Sequence, residues 1–227
     1  MASLETSNVY EITWENDIAN RIEELYKAKK KSPLLVGVVG IPGSGKSTSV
    51  KLLSNILHKK QIGNLIMPMD GYHYPLATLK SFENADDAVY RRGAPDTFDA
   101  NRLRKDLLEI QRGSLSVKIP DFDHAVGDPL EDAFTFVPSE HSIVICEGLY
   151  LLHEGDGWDI NDLFDFSVYI KADVDICVDR LKIRNQCIPG YTKEEIFIRC
   201  EKVDRANAMK VLESQERADV TVDSVAC

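Results

Sequence analysis

The sequence predicts an α/β fold of three layers: a mostly parallel central sheet with helices on both faces. Three observations predict it. Short, continuous apolar runs at 34–39, 143–146 and 166–170 mark strands buried on both faces. Segments with apolar residues at helical spacing separate these runs. A glycine-rich turn joins the first run directly to such a segment, as in a parallel strand–turn–helix unit.

The elements follow in chain order. Trp14, Ile18, Ile22 and Leu25 recur at helical spacing, so 14–30 reads as an amphipathic helix. Its end carries Lys27, Lys29, Lys30 and Lys31, where cations oppose the negative pole of the helix. A solvated helix end explains them better than a nucleic-acid patch, and Pro33 stops the helix. Leu34 to Val39 is the first strand. The helix at 46–59 places Val50, Leu53 and Leu57 on one face. Asn64 to Met69 is a second strand, which Pro68 confines to an edge or an end. Residues 70–98 read as irregular, with a short helix near 85–91. Asp99 caps a helix holding Leu103, Leu107 and Ile110, and Gly113 closes it. Residues 114–140 form an insertion with two short extended pieces, near 115–119 and 133–137. Ile143 to Cys146 and Phe166 to Ile170 are buried strands. Residues 173–186 and 192 to about 213 are helices, the second opened by the capping box of Thr192 and Glu195. Val220 to Val222 is a last short strand.

Composition limits the function classes. The 227 residues suit one domain with elaborations, large enough to bury a core without disulfides. Apolar residues at 44% and charged residues at 28% fit a soluble globular protein. A formal net charge of −10 argues against a general nucleic-acid partner. No apolar run approaches the ~18 residues of a membrane helix. Met1 to Glu11 has no leader pattern, so a cytoplasmic location is expected, with the nucleus left open. Cys146, Cys177, Cys187, Cys200 and Cys227 are odd in number and lack C-x-x-C spacing, which favours free thiols. A homodimer is compatible with all of this.

Parallel sheets bind ligands beyond the carboxyl ends of their strands, so chemistry is sought there. The first strand runs into Gly40-Ile41-Pro42-Gly43-Ser44-Gly45-Lys46-Ser47-Thr48, which contains G-x-x-x-x-G-K-S between a strand and a helix. Its glycines let backbone N–H groups turn inward around a phosphate, and the helix N-terminus adds its positive pole. Lys46 would reach the β- and γ-phosphates, and the Ser47 hydroxyl would ligate Mg²⁺. The second strand ends at Asp70, in Met69-Asp70-Gly71-Tyr72-His73; the strand at 143–146 ends at Glu147. Either acid alone could be a cap or a solvated loop charge. Together they allow one to hold Mg²⁺ while the other takes a proton from an attacking hydroxyl.

Arg180 and Arg184 share a helix face, and neither has an acid three or four residues away. A triphosphate would offset their charge, and so would a carboxylate on another helix. Arg91 and Arg92 could bind a substrate anion or pair with Asp86, Asp87, Asp96 or Asp99. Pro120-Asp121-Phe122-Asp123-His124 offers acids, an aromatic face and an imidazole for sugar hydroxyls, although these are also ordinary turn residues. His58, His73, His141 and His153 show no metal-ligand spacing.

This ordered set resembles the P-loop kinases grouped as uridine kinase, pantothenate kinase and phosphoribulokinase, and is most similar to a uridine-kinase-like branch of fungi and bacteria. Beside the motifs above, the resemblance rests on 91–99, Pro120 to Asp123, Cys146 to Leu152, Asp179 to Leu181, Asp204 to Ala208 and Ala218-Asp219, and it spans 34–223. It implies a P-loop NTPase sandwich as a single domain over 1–227, with an N-terminal helix at 14–31. It also implies an acceptor region at 70–140, covered by the insertion at 114–140, and a lid region at 173–190. The implied reaction is ATP- and Mg²⁺-dependent phosphorylation of a hydroxyl on a small metabolite. By resemblance, Asp70 is the general base, Ser47 and Glu147 form the Mg²⁺ shell, and Arg180 and Arg184 lie on the lid helix. Tyr72, His73, Arg91, Arg92, Phe122, Asp123 and His124 fall on the acceptor side, with Phe122 where uridine kinases carry a Tyr. The sequence departs from uridine kinases after Asp123, where His124-Ala125-Val126 replaces their His-Ser-Arg run. A nucleotide switch is the rival, but the chain has neither the N-K-x-D motif of a GTPase nor the L-S-G-G-Q loop of a transporter-type ATPase.

Overall fold

Leu34–Gly40 (β1) carries no polar side chain, and in the computed structural model it is buried at every position. Such a strand belongs in the middle of a sheet covered on both faces. The structure describes residues 14–29, 33–113, 115–123, 125–155, 157–187 and 191–224. Beside β1, the sheet contains Asn64–Pro68 (β2), Ile143–Gly148 (β5), Phe166–Lys171 (β6) and Val220–Asp223 (β7), in the order β2-β5-β1-β6-β7. All of its pairings are parallel. Val117–Asp123 (β3) and Asp128–Phe136 (β4) form a separate antiparallel hairpin.

Alternate residues of β1 feed two cores, as the two-residue period of a strand requires. Val36 and Val38 pack with Ile18 and Ile22 of Trp14–Ala28 (α1) and with Val50, Leu53 and Leu57 of Lys46–Lys59 (α2). Leu35 and Val39 pack on the other face with Leu103, Leu107 and Ile110 of Ala100–Arg112 (α5). The register sets Val38 and Pro68 both opposite Glu147, and Gly40 opposite Ile170. The carboxyl ends of β2, β5 and β1 are therefore level, and everything that follows them meets on one edge.

Local signals hold well. The Asp99 carboxylate accepts from Arg102 N at 2.9 Å, and Gly113 closes α5 at φ 62°. Thr192 and Glu195 form the capping box at the start of Lys193–Arg199 (α7). Pro68 is both the end of its strand and on the sheet edge. Lys27 pairs with Glu23 at 2.6 Å and Lys29 with Asp165 at 2.5 Å; Lys30 and Lys31 lie outside the described residues. Cys146, Cys177 and Cys200 are buried free thiols. Among the described residues, no helix is long and apolar enough to cross a membrane.

Three expectations change. The irregular stretch 70–98 holds a 3-10 turn at Met69–Tyr72 and the short helices Leu76–Leu79 (α3) and Ala85–Tyr90 (α4); a four-residue helix is too short to show a period. The extended pieces of the insertion are longer than expected, because Asp128 to Asp132 is polar and mostly exposed and gives no apolar alternation. The last long helix is α7, a π-turn at Cys200–Asp204 and Arg205–Leu212 (α8), rather than one regular helix.

The hairpin seats directly on the turn that carries Asp70. A Cβ on Gly71 would stand 2.4 Å from the Pro120 carbonyl oxygen and 2.9 Å from Asp121 N, and these are backbone atoms that cannot turn aside as a side chain would. Gly71→Ala is expected to destabilise the protein by about 1–3 kcal/mol through overpacking, read as a lower thermal midpoint; an unchanged midpoint would show that the hairpin does not press there.

Candidate active site

The phosphate loop is a turn only glycine can make cheaply. Gly43 and Gly45 sit at φ 81° and 86°, in the left-handed region. Gly45 caps α2 without a side-chain hydrogen bond, and its carbonyl accepts from Thr48 N at 3.0 Å and Ser49 N at 3.1 Å. The first N–H groups of a 14-residue helix thus open onto the loop, an arrangement suited to an anion. Ile41 is fully buried, so it has only backbone to offer a ligand. Val174–Arg184 (α6) closes the other side: a Cβ on Gly43 would lie 2.7 Å from the Cys177 carbonyl oxygen.

Ser47 Oγ donates to Glu147 Oε1 at 2.7 Å, which ties the start of α2 to the end of β5. Burial pushes the Glu147 carboxyl above its usual range, the Lys46 charge pulls it back, and the Asp70 charge raises it further. Residues from three strand ends therefore share one electrostatic field. Asp70 is half-buried in the 3-10 turn, and its carbonyl accepts from His73 N at 3.2 Å. The same carbonyl lies 2.8 Å from His73 Nδ1, which must carry the ring proton to donate there.

Beyond Asp70 lies an aromatic strip. The His73 ring stands 3.9 Å from Phe98 and 4.9 Å from Phe122, centroid to centroid, and the Arg92 guanidinium lies 5.3 Å from the Phe122 centroid. His73, Arg92 and Phe122 are thus brought together beside Asp70.

Other expected acceptor residues are placed elsewhere. Tyr72 is only 1% exposed and its hydroxyl donates to Asp106 at 2.9 Å, so it is a core residue and not an acceptor ligand. Arg91 is held by Asp87 at 2.7 Å and by both oxygens of Asp96 at 2.8 and 2.9 Å, and this pairing keeps the Asp96 carboxyl below its usual range. It faces away from the strip, toward a cavity of about 620 Å³ that also borders Lys202, Asn207 and Lys210. Asp123 spends one carboxylate oxygen on the hairpin turn, accepting from Ala125 N at 2.8 Å and Val126 N at 3.2 Å. His124 lies outside the described residues. Arg92 donates to Asp128 at 2.7 Å, to the Tyr74 carbonyl at 2.9 Å and to the Gly127 carbonyl. The two-arginine motif therefore resolves to ion pairs, with one partner, Asp128, that lies far along the chain.

The two arginines of α6 divide between the alternatives. Arg180 donates to the Gly43 carbonyl at 3.4 Å, against the phosphate loop. Arg184 donates to Asn185 Oδ1 at 3.1 Å and lies close enough to the buried Asp204 carboxyl to oppose its burial-driven rise in pKa. Sequence reasoning gave no role to Tyr150, Trp158, Arg199 or Asn207, although Asp204 to Ala208 was a visible motif. Tyr150, Trp158 and Arg199 donate to carbonyls of the loop Arg92–Pro95, and Asn207 stands beside it, where its Nδ2 would be 3.1 Å from a Cβ on Gly93.

Residues 35–227 match the model of the phosphoribulokinase / uridine kinase family. The chain belongs to this family. It is a small-molecule kinase, and the reaction of such kinases is ATP-dependent phosphoryl transfer to a small metabolite. A candidate uridine kinase of Schizosaccharomyces pombe is 32% identical over 221 residues, 92% of this chain and 90% of that one. A pantothenate kinase of Pasteurella multocida is 32% identical over 153 residues, 64% of this chain and 46% of that one, so this chain spans about half the length of that relative. The structure of a candidate fructose transport system kinase from Silicibacter sp. TM1040 superposes with a TM-score of 0.82 at 27% identity, covering 92% of this chain and 98% of that one. Phosphoribulokinase from Rhodobacter spheroides, 16% identical with a TM-score of 0.64, shares the fold.

Burial separates the two adjacent arginines. The Arg92 side chain is 11% exposed and its partner Asp128 31%, whereas Arg91 is 33% exposed and its partners more than half. In urea unfolding, Arg92→Ala is expected to cost about 2–3 kcal/mol, by stranding Asp128 and the Tyr74 and Gly127 carbonyls. Arg91→Ala is expected to cost less than about 1 kcal/mol. Equal losses would show that Arg92 does not anchor the hairpin.

Proposed function

We propose that the protein transfers the γ-phosphoryl group of ATP to a hydroxyl of a sugar-like polyol, with Asp70 as the general base. The observation that carries this reading is the 2.7 Å contact between Ser47 and Glu147 at the mouth of the phosphate loop, with Asp70 two residues beyond Pro68, which the sheet register sets opposite Glu147. It supports a site where a nucleotide's phosphates and a second carboxylate meet.

The donor set fits Mg²⁺. Ser47 and Glu147 supply hard oxygens 2.7 Å apart. That suits an ion bound through one or two protein ligands with phosphate oxygens and water completing the shell. Bound there, Mg²⁺ would neutralise phosphate charge and orient the β- and γ-groups.

The chain's own residues do the rest. Backbone N–H groups of the loop and the N-terminus of α2 hold the phosphates. Lys46 and Arg180 offset charge on the transferring group, while Arg184, one helical turn further on, is turned toward Asn185 and Asp204. Asp70 takes the proton of the acceptor hydroxyl as its oxygen attacks the γ-phosphorus in line. The bond from the γ-phosphorus to the β,γ-bridging oxygen breaks, ADP leaves, and Asp70 later gives its proton to water. His73 and Phe122, backed by the buried Phe98, offer an aromatic wall for the acceptor.

One observation argues against uridine and one neighbour supports a sugar-like acceptor, although the candidate uridine kinase of Schizosaccharomyces pombe aligns over a similar share of both chains. The His-Ser-Arg run of uridine kinases is replaced by His124-Ala125-Val126. The superposition with the candidate fructose transport system kinase covers nearly the whole of both chains. Pantothenate kinases share only part of their length with this chain.

Mg²⁺-dependent ATP consumption should rise with one member of a panel of sugars, sugar phosphates, nucleosides and pantothenate. Stimulation by a nucleoside alone would replace the sugar reading, and acceptor-independent hydrolysis would replace the kinase reading. Asp70→Asn is expected to lower turnover by ~10²–10⁴-fold while ATP still binds; full turnover in that variant would remove Asp70 from the mechanism. Lys46→Ala should weaken both ATP binding and turnover, measured by calorimetry and by the same assay.

A further inference from the structure

The loop Arg92–Pro95 is held by its carbonyl oxygens from three directions. Tyr150 Oη donates to Gly93 O at 2.7 Å, and Trp158 Nε1 donates to Pro95 O at 3.1 Å. Both aromatic residues are fully buried in the core beyond β5, so these two grips are fixed to the sheet. The third is different. Arg199 Nη2 donates to Arg92 O at 2.8 Å, and Arg199 stands at the end of α7, which is packed on α6.

Helices α6 and α7 form one body. Val178 and Leu181 pack against Ile196 and Cys200 in a core of their own, separate from the two cores of the sheet. Lys182 pairs with Glu201 at 2.5 Å, and Arg205 pairs with Asp175 at 2.7 Å. The same body carries Arg180 against the phosphate loop. At its far end it holds the backbone of Arg92, whose side chain grips Asp128 and the Tyr74 carbonyl and lies over Phe122.

The π-turn explains how Arg199 is aimed. In a regular α-helix, residues five apart lie about 140° apart around the axis. Widening one turn at Cys200–Asp204 brings them back toward one face, and Asp204 Oδ1 reaches 3.9 Å from Arg199 Nη1. Asp204 Oδ2 is buried without a hydrogen-bond partner, and its carboxyl is faced by the Cys200 thiol and by the charges of Arg199 and Arg184. Asn207, one turn later, closes against the loop: a Cβ on Gly93 would lie 3.1 Å from its Nδ2.

We propose that Arg199 is a positioning residue that couples the arginine-bearing helix α6 to the acceptor wall, by fixing the Arg92 carbonyl while Asp204 orients its guanidinium. This rests on the nucleotide site proposed above. Arg199 touches neither reacting group; it transmits the position of α6, set by what occupies the phosphate loop, to the loop that aims Arg92 and Phe122.

Hydrogen exchange of the full chain, read by mass spectrometry with and without Mg²⁺ and the non-hydrolysable analogue AMP-PNP, tests it. In the wild type, nucleotide should slow exchange at 40–48 and also at 90–99 and 117–136. Arg199→Ala should keep the protection at 40–48 and lose it at the two remote segments. Arg199→Lys, which retains a donor for the carbonyl, should restore part of the remote protection. Full remote protection in Arg199→Ala overturns the coupling, as does a wild type protected at 40–48 alone. No protection at 40–48 in the wild type overturns the nucleotide site beneath it. Should Arg199→Ala fail to fold, Asp204→Asn decides: reduced protection at 90–99 with 40–48 intact supports the proposal, and unchanged protection overturns it.

Discussion

The hydrogen bond from Ser47 to Glu147 joins two elements a hundred residues apart, and it forms because β1 and β5 are paired in one register. That register is set by burial. Every residue of β1 is covered on both faces, so a slip by one position would exchange the side chains of its two cores. With the register fixed, the strand ends are level, and the turns that leave them must meet. The phosphate loop, Asp70 and Glu147 converge for this reason, before any chemistry is asked of them. The glycine turn adds its own condition, since only left-handed backbone at Gly43 and Gly45 lets α2 begin so soon after the strand.

Charge follows burial in the same way. The chain is acidic overall, yet its arginines are distributed with clear division of labour. Those on the surface, such as Arg91, make exposed pairs worth little. Those against the insertion are structural anchors. Arg92, the more buried, holds Asp128, and Arg102 adds a two-pronged but exposed contact with Glu131 at 2.6 and 2.8 Å, so the main fastening of the hairpin is at Arg92. Leu76 N also donates to Asp128, at 2.9 Å. The insertion is thereby fastened to the rest of the domain and is not an appended ribbon.

The helices after β6 have a different character. They carry their own small core, and ion pairs join them to each other. They also join the core of the sheet through Cys177, Ala208 and Val211, and polar contacts reach both sides of the site, Arg180 at one end and Arg199 at the other. A kinase needs its phosphate and acceptor sides assembled at the same moment, and a body with one cation at each is a physical means of achieving it.

The sequence by itself determined whatever depends on neighbours along the chain. Continuous apolar runs announced β1, β5 and β6, because strands covered on both faces leave no polar alternation. The G-x-x-x-x-G-K-S turn, the acids straight after two strands and the caps at Asp99 and Thr192 are local patterns as well. Only the tertiary structure decided the fates of side chains whose partners are remote. Tyr72 looked like part of the Asp70 motif, but Asp106 on α5 takes its hydroxyl into the core. Arg92 had four nearby acids to choose from and pairs with Asp128 instead. The polar start of β4 became strand because β3 supplied its hydrogen bonds, and the π-turn appeared where a regular helix was expected because two packed surfaces needed different phases. Periodicity records which face of an element is covered; it does not record which residue, dozens of positions away, does the covering.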